Sequence, residues 1–394
     1  MKVAFLTNII SPYRRPMFQA LANSPGWDLS VVVNATTEFD RKWSGVCEGV
    51  EVIQPRSLSF RRQRHSRGPV ACSQVVEFHV PVGLWAALSR LMPDCVITHE
   101  LGPRSLVAAQ WARWHRRPLI VWSYQAIASL TKDGWMRRAV RNAILKQASA
   151  VVGMGRQARQ VLEAYGVAST KIIDAPNATD VEQINARLEQ AAFDGTAAKL
   201  RHTLGGQDGR RVCLVAGRIE PVKNIDGMLR LWSRLPQNVR RAWRLVFLGD
   251  GSQDPLVRSC DDPSVLHVPG VRMDQMAEYY AASDLHWFAS LADVWGLVVN
   301  ESMLAGVPTL CSRLAGCSDD MIADGHNGML FDPCDDESAL RSLRDALQRR
   351  DLQVMGDAAR VDGNTYTVER LADGFREAVA RAMDATNCAT AGAA

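Results

Sequence analysis

The residues most suited to chemistry lie in the second half of this 394-residue chain. They are two bases five residues apart, Arg218 and Lys223, and two acids eight residues apart, Asp293 and Glu301. A guanidinium offers a bidentate fork and an ammonium a mobile point charge, so Arg218 and Lys223 on one loop can converge on a diphosphate. Asp293 is expected just before a helix that starts around Gly296, and Glu301 more than one turn inside it. At that distance the two carboxylates address different parts of one extended ligand. The free amides of Gly296 and Leu297, with the helix dipole, favour a phosphate at the helix start. Glu301 has apolar neighbours, Val298, Val299, Met303 and Leu304, and a carboxylate buried among such residues needs a partner.

The elements that must position these groups are legible as alternation. Short apolar runs, VAFL (3–6), LSVVV (29–33), CVIT (95–98), LIVW (119–122) and AVVG (150–153), are separated by helical patterns. A second series runs through RVCLVAG (211–217), RLVFLG (244–249), LHWFAS (285–290), TLCS (309–312) and GMLF (328–331). Continuous β-branched runs between helices imply parallel strands covered on both faces. Two such series predict an α/β chain of two facing Rossmann-like domains with a cleft between them. The expected domains are 1–178 and 179–365, with the polar stretch 181–209 after the boundary. A terminal amphipathic helix, 366–385, is expected to pack back on the first domain. Arg218, Gly249, Val271 and Asp293 then all fall at carboxyl ends of strands, where open parallel sheets bind ligands.

Composition narrows the classes. No apolar run reaches the roughly 20 residues that span a bilayer, so the expected location is cytoplasmic. Nine scattered cysteines without a C-x-x-C pair read as small buried hydrophobes in a reducing compartment. The net charge of +4 is uneven. Arg56, Arg61, Arg62, Arg64, His65 and Arg67 form one basic run, and residues 104–159 hold eleven Lys or Arg and one acid, Asp133. Such a half suggests an anionic partner or a solvated basic surface.

Read in order, G-R-x-x-x-x-K-N from Gly217, L-G-D-G from Leu248, P-G-V at 269–271, D-x-W-G-L-V-x-N-E from Asp293, A-G-V-P-T at 305–309 and G-H-N-G-M-L at 325–330 resemble glycosyltransferase family 4. These are the retaining GT-B enzymes of glycosyl transferases group 1. The resemblance is strong over about 210–350. It implies a UDP- or GDP-linked nucleotide-sugar donor held by the second domain, with no metal and no other cofactor. Arg218 and Lys223 would neutralise the diphosphate and Glu301 would bind the ribose. Asp293 would contact the transferred sugar, in a position where Glu is commoner. Gly249 and the backbone at Val271 match the turn and base-binding segments, and Leu297 and Val298 supply amides beside the phosphates. The implied acceptor is a glycan, a glycolipid or another small molecule, with a role in bacterial surface polysaccharide or glycoconjugate synthesis.

The first half departs from that pattern. The loop after the first strand reads Thr7-Asn8-Ile9-Ile10-Ser11-Pro12-Tyr13-Arg14 rather than glycine-rich, placing Ser11, Tyr13 and Arg14 on the acceptor side. Where the family commonly has a histidine after LIVW, this chain has Tyr124 and Gln125; either takes that contact, or His99 approaches from the neighbouring strand. The segment 135–146 would form a basic amphipathic helix able to meet a membrane surface peripherally. Two rivals remain. Gly153-Met-Gly155-Arg-Gln-Ala158 followed by Asp174 mimics the dinucleotide fingerprint of an NAD-dependent oxidoreductase. A nonenzymatic anion or nucleic-acid binder would use the basic half, yet aromatic stacking residues are not interleaved there, so no nucleic-acid partner is expected.

Overall fold

The computed structural model describes residues 1–36, 45–67, 71–127, 134–206 and 208–391, without the side chains of 62–67, 71–76, 78 and 387–391. Two parallel sheets carry the chain, each built from runs of Val, Ile, Leu and Phe too apolar to face water on either side.

The first sheet contains β1 (Lys2–Thr7), β2 (Asp28–Val33), β3 (Glu51–Ile53), β6 (Cys95–His99), β7 (Leu119–Ser123), β8 (Ala150–Gly153) and β9 (Ile172–Asp174). Its order is β3-β2-β1-β6-β7-β8-β9, every pair parallel. The second contains β10 (Arg211–Ala216), β11 (Trp243–Leu248), β12 (Val265–Val268), β13 (Leu285–Phe288), β14 (Thr309–Ser312) and β15 (Gly328–Phe331), in the order β12-β11-β10-β13-β14-β15. The strand order reverses beside β1 in one sheet and beside β10 in the other. Those switch points are where open parallel sheets leave a crevice. These are the two parallel sheets that the alternation predicts, in the arrangement that the resemblance implies.

Some elements differ from the sequence reading. The basic run ends in β4 (Leu58–Arg67), which pairs antiparallel with β5 (Ala71–Val80) as a separate hairpin. Leu58 and Phe60 are exposed on it; the side chains of Arg62, Arg64, His65 and Arg67 lie outside the described residues, as does Asp133. The polar stretch after residue 180 is two helices, Val181–Phe193 and Thr196–Gly205, because Leu188 and Leu204 recur on faces buried against the second sheet's helices and strands. The terminal helix runs Val368–Ala391. Its Phe375 meets Phe5 and Trp122 edge-on at 5.3 Å each, which seats it on the first sheet. Cys47, Cys95, Cys213, Cys311 and Cys317 are buried as expected, but Cys334 is exposed. Cys72 and Cys388 lie outside the described side chains.

The halves meet along a seam. Trp295 is 1% exposed in a cluster that also contains Met154, Ala158, Val299 and Met303. Gln157 Nε2 donates to Ala315 O at 3.1 Å, and Arg156 N donates to Asp320 Oδ2 at 2.9 Å.

Close backbone approach positions the ligand loops. Gly249 has φ 142°, and a Cβ there would stand 1.9 Å from Gly217 O. Only glycine fits such a place. Gly249→Ala is expected to lower unfolding free energy by at least about 2 kcal/mol, read from the denaturant midpoint; a loss under about 0.5 kcal/mol, the scale of a neutral surface change, would contradict the packing.

Candidate active site

The loop leaving β10 rises through Gly217 and Arg218 to a short 3-10 turn, Pro221–Lys223, before the helix Ile225–Ser233. Its backbone is tied to its neighbours: Ile219 N donates to Asp250 O at 3.0 Å and Leu291 N to Val222 O at 2.8 Å. Arg218 is exposed on this loop. Lys223 turns toward the strand end of β13 instead, its Nζ 4.9 Å over the Phe288 ring and 2.5 Å from Asp293 Oδ2. Lys223 is neutralised by Asp293, a partner 70 residues away, because both loops leave strands adjacent at the switch point.

Asp293 is held on both sides. Its Oδ1 accepts from Trp295 N at 3.1 Å and its carbonyl from Gly316 N at 3.0 Å. Trp295 then anchors the loop: its indole Nε1 donates to Asn300 Oδ1 at 2.9 Å, one turn into the helix Leu297–Leu304. Gly296 caps that helix at φ 107°, and a side chain there would strike the Phe288 ring at 2.7 Å. Leu297 and Val298 sit in the first turn, where amides lack an intrahelical acceptor. Val298 faces Gly217, and Val271 packs in the same partly buried cluster as Val298.

Glu301 is 8% exposed and takes a hydrogen bond from Tyr280 Oη at 3.0 Å. Burial pushes its carboxyl up to about 7, with the Tyr280 bond opposing that rise. Tyr13, reaching over from the first half, feels the Glu301 charge; burial first and that charge second raise its phenol well above the ordinary value.

The turn after β11 is clasped by three polar side chains. His267 Nε2 lies 2.9 Å from Gly249 O, Gly270 N donates to Asp250 Oδ2 at 2.9 Å, and Asp254 stands 3.8 Å from His267. The ligating atoms of Asp250, Asp254 and His267 fall within 4.8 Å of one another, a spacing a metal ion could use. Two of the three are already engaged in fixing the Gly249 turn against the Gly270 loop.

The first sheet contributes its own strand ends. Ser11 begins the turn that carries Tyr13 and Arg14, accepting from Arg14 N at 2.9 Å. Arg14 lies 4.8 Å over the Trp122 ring and 3.3 Å from each ring nitrogen of His99. His99 is 2% exposed, behind Arg14 and Tyr124, and burial with the Arg14 and Arg104 charges holds it neutral. It supports Arg14 rather than lining the cleft. Tyr124 donates to Glu100, a residue the sequence reading passed over, and the buried Gln125 Oε1 has no hydrogen-bond partner among the described residues. Asn8, Glu100 and Arg104 were missed because nothing local marks them: they meet only when β1, β6 and β7 lie side by side.

The dinucleotide-like turn is closed to a cofactor. A Cβ on Gly155 would stand 2.5 Å from Asp320 Oδ2 and 2.7 Å from Trp295, so the seam fills that space, and Asp174 is paired with Arg159 at 2.8 Å.

Comparisons with known proteins agree with this geometry. The family described as glycosyl transferases group 1 matches residues 197–361, and the glycosyl transferase 4-like domain matches residues 10–178. Sulfoquinovosyl transferase SQD2 of Arabidopsis thaliana is 28% identical over 41% of this chain and 31% of its own length. D-inositol 3-phosphate glycosyltransferase of Nocardia farcinica is 25% identical over 66% of this chain and 65% of its own. The chain thus spans about a third to two thirds of these curated relatives. In three dimensions it superposes on HepE of Anabaena, crystallised with UDP, with a TM-score of 0.71 at 16% identity, over 96% of this chain and 100% of that one. The corresponding values for sucrose-phosphate synthase of Thermosynechococcus elongatus are 0.72, 17%, 98% and 100%.

The buried carboxylate has a measurable signature. Glu301 moves from an unfolded value of 4.5 to about 7 in the fold, so its folded form binds the proton more tightly. Its contribution is fully present below pH 4.5 and is lost as pH rises through 7, about 3 kcal/mol in all. Glu301→Gln is expected to flatten the fall in melting temperature between pH 5 and 7.5; an unchanged slope would contradict the burial of a titrating acid there.

Proposed function

Because this chain belongs to the glycosyl transferases group 1, with a glycosyl transferase 4-like first domain, we propose that it transfers a sugar from a nucleotide-sugar donor to a hydroxyl-bearing acceptor. The observation that carries this reading is the constellation at the second switch point: the Lys223–Asp293 pair, the first turn of Leu297–Leu304 and buried Glu301. In this reading Glu301 accepts hydrogen bonds from the ribose hydroxyls. Arg218, Lys223 and the amides at Gly296, Leu297 and Val298 stabilise charge developing on the diphosphate. Preorganised donors of that kind each contribute about 10²–10³ in rate. The backbone at Val271 and the Gly249 turn accommodate the base.

Lys223 cannot serve diphosphate and Asp293 equally. On donor binding the ammonium turns to the phosphates, and the Asp293 carboxylate is released toward the transferred sugar, where it steadies positive charge at the reacting carbon. A carboxylate one methylene shorter than glutamate matches the reach to Lys223 found here. Retention of configuration, with the leaving phosphate accepting the acceptor's proton, fits a site to which we assign no carboxylate nucleophile. HepE was crystallised with UDP and with UDP-glucose, which favours a UDP-linked donor. D-inositol 3-phosphate glycosyltransferases among the relatives favour a small polyhydroxylated acceptor; we keep surface glycoconjugate synthesis as the proposed setting. The reading requires neither a resident metal nor another cofactor.

Nucleotide sugars test it directly. Screened against UDP- and GDP-linked sugars, the protein is expected to melt higher with at least one donor, and Glu301→Ala and Lys223→Ala to abolish that rise. No rise with any donor would sink the assignment.

A peripheral membrane contact belongs to the same reading. No helix among the described residues is long and apolar enough to cross a membrane. However, the helix Trp135–Gln147 begins with Trp135 80% and Met136 64% exposed beside exposed Arg137 and Arg138, while Arg141 is buried against Tyr165 at 2.8 Å. An apolar tip flanked by cations suits the surface of an anionic bilayer. Cosedimentation with phosphatidylglycerol vesicles is expected to fall several-fold in Trp135→Ser/Met136→Ser, and equal binding by the variant would remove this contact.

A further inference from the structure

Glu100 is held in a conformation that packing alone does not require. Its φ is 76°, in the left-handed region, which a residue with a Cβ occupies at a cost and keeps only where its surroundings over-determine it. The surroundings do so here. Glu100 N donates to Trp122 O at 3.1 Å, and its carbonyl accepts from Ser105 Oγ at 2.5 Å. Strain of this kind concentrates at functional sites.

The side chain is aimed with equal care. Glu100 Oε1 accepts from Asn8 Nδ2 at 3.1 Å and from the Tyr124 hydroxyl. Burial and the Glu100 charge keep Tyr124 protonated, so it remains a donor. Asn8 is fixed in turn, its Oδ1 accepting from Asn34 Nδ2 at 3.0 Å and from Arg104 Nη1 at 2.5 Å. Arg104, 4% exposed, also caps His99 O. Three strand ends, those of β1, β6 and β7, thus spend buried polar groups to orient one carboxylate.

That carboxylate is not consumed by the scaffold. Among the described residues Oε2 has no hydrogen-bond donor; Arg104 stands 4.0 Å away, and the Glu100 side chain remains 36% exposed. It lies at the switch point of the first sheet, between β1 and β6, where ligands bind in such folds. The neighbouring strand-end loops face the second half: Ala126 lies against Gly316, and Tyr13 feels Glu301.

We propose that Glu100 is an acceptor-binding residue, its free carboxylate oxygen receiving hydrogen bonds from vicinal hydroxyls of a neutral sugar acceptor, with Asn8 and Tyr124 as positioning residues. This rests on the transferase reading above. A carboxylate binds hydroxyl hydrogens strongly and repels an anion at the same place. It therefore selects a neutral sugar ring, rather than a phosphate, at this end of the cleft.

The test separates donor from acceptor. Donor binding is read as the thermal shift with UDP-glucose and GDP-mannose. Transfer is read as nucleoside diphosphate release with and without p-nitrophenyl glycosides of gluco, galacto and manno configuration. In Glu100→Gln and Glu100→Asn the thermal shift and acceptor-free release are expected to stay within about twofold of the parent. Glycoside-stimulated release should fall at least about 30-fold, chiefly through a higher acceptor KM. Stimulated release that survives in both variants overturns the proposal, as do equal losses with and without glycoside. A parent that binds donor yet is stimulated by none of the neutral glycosides overturns it too, and leaves the donor reading standing. A parent that binds no donor overturns both.

Discussion

The burial of Trp295 is the constraint on which the rest of the molecule depends. Its ring is packed beside Gly155 of one half, tilted against Tyr366 at 6.4 Å, and its N–H is satisfied by Asn300 within the helix it precedes. An indole of this size removes well over a hundred square ångströms of apolar surface from water, in a cluster shared by both halves. Fixing Trp295 also fixes Asp293 two residues before it and the helix start after it. The seam that joins the halves is thereby the structure that aims the charged groups, and it fills the turn that a dinucleotide would otherwise enter.

Charge is distributed asymmetrically about that seam. On the donor side each charge has one partner it can exchange: Lys223 with Asp293, and Glu301 with Tyr280. Glu301 is costly to bury as an anion, and ribose hydroxyls would supply the hydrogen bonds it lacks. On the opposite side Asn8, Arg104 and Tyr124 surround the Glu100 carboxylate, whose side chain stays 36% exposed. In the proposed transfer reaction this division would favour an anionic donor on one side and a hydroxylated acceptor on the other, since each would be repelled or left unpaired in the other's place.

Much of this was legible in the sequence for definite reasons. Parallel strands buried on both faces must be apolar runs, so both sheets announced themselves. Glycines at 249 and 296 mark backbone conformations that no other residue takes easily, and the buried carboxylate was readable from Val298, Val299, Met303 and Leu304 around Glu301. What was hidden depends on juxtaposition. Lys223 and Asp293 are 70 residues apart and Asn8 and Glu100 are 92 apart, and neither pairing leaves a local pattern. The hairpin of β4 and β5 was masked by its own run of arginines. Helices Val181–Phe193 and Thr196–Gly205 were masked by polar outer faces, since only a few residues on each are buried.

The central claim is that Lys223 is shared between Asp293 and the donor diphosphate. Calorimetric titration with UDP of the parent, Lys223→Ala and Asp293→Asn tests this most directly. Removing the ammonium is expected to weaken UDP about 10–100-fold, the scale of a charge-assisted bond. Removing only the Asp293 charge frees the ammonium, so Asp293→Asn should bind UDP at least as tightly as the parent. An Asp293→Asn protein that loses UDP affinity as severely as Lys223→Ala would contradict the account.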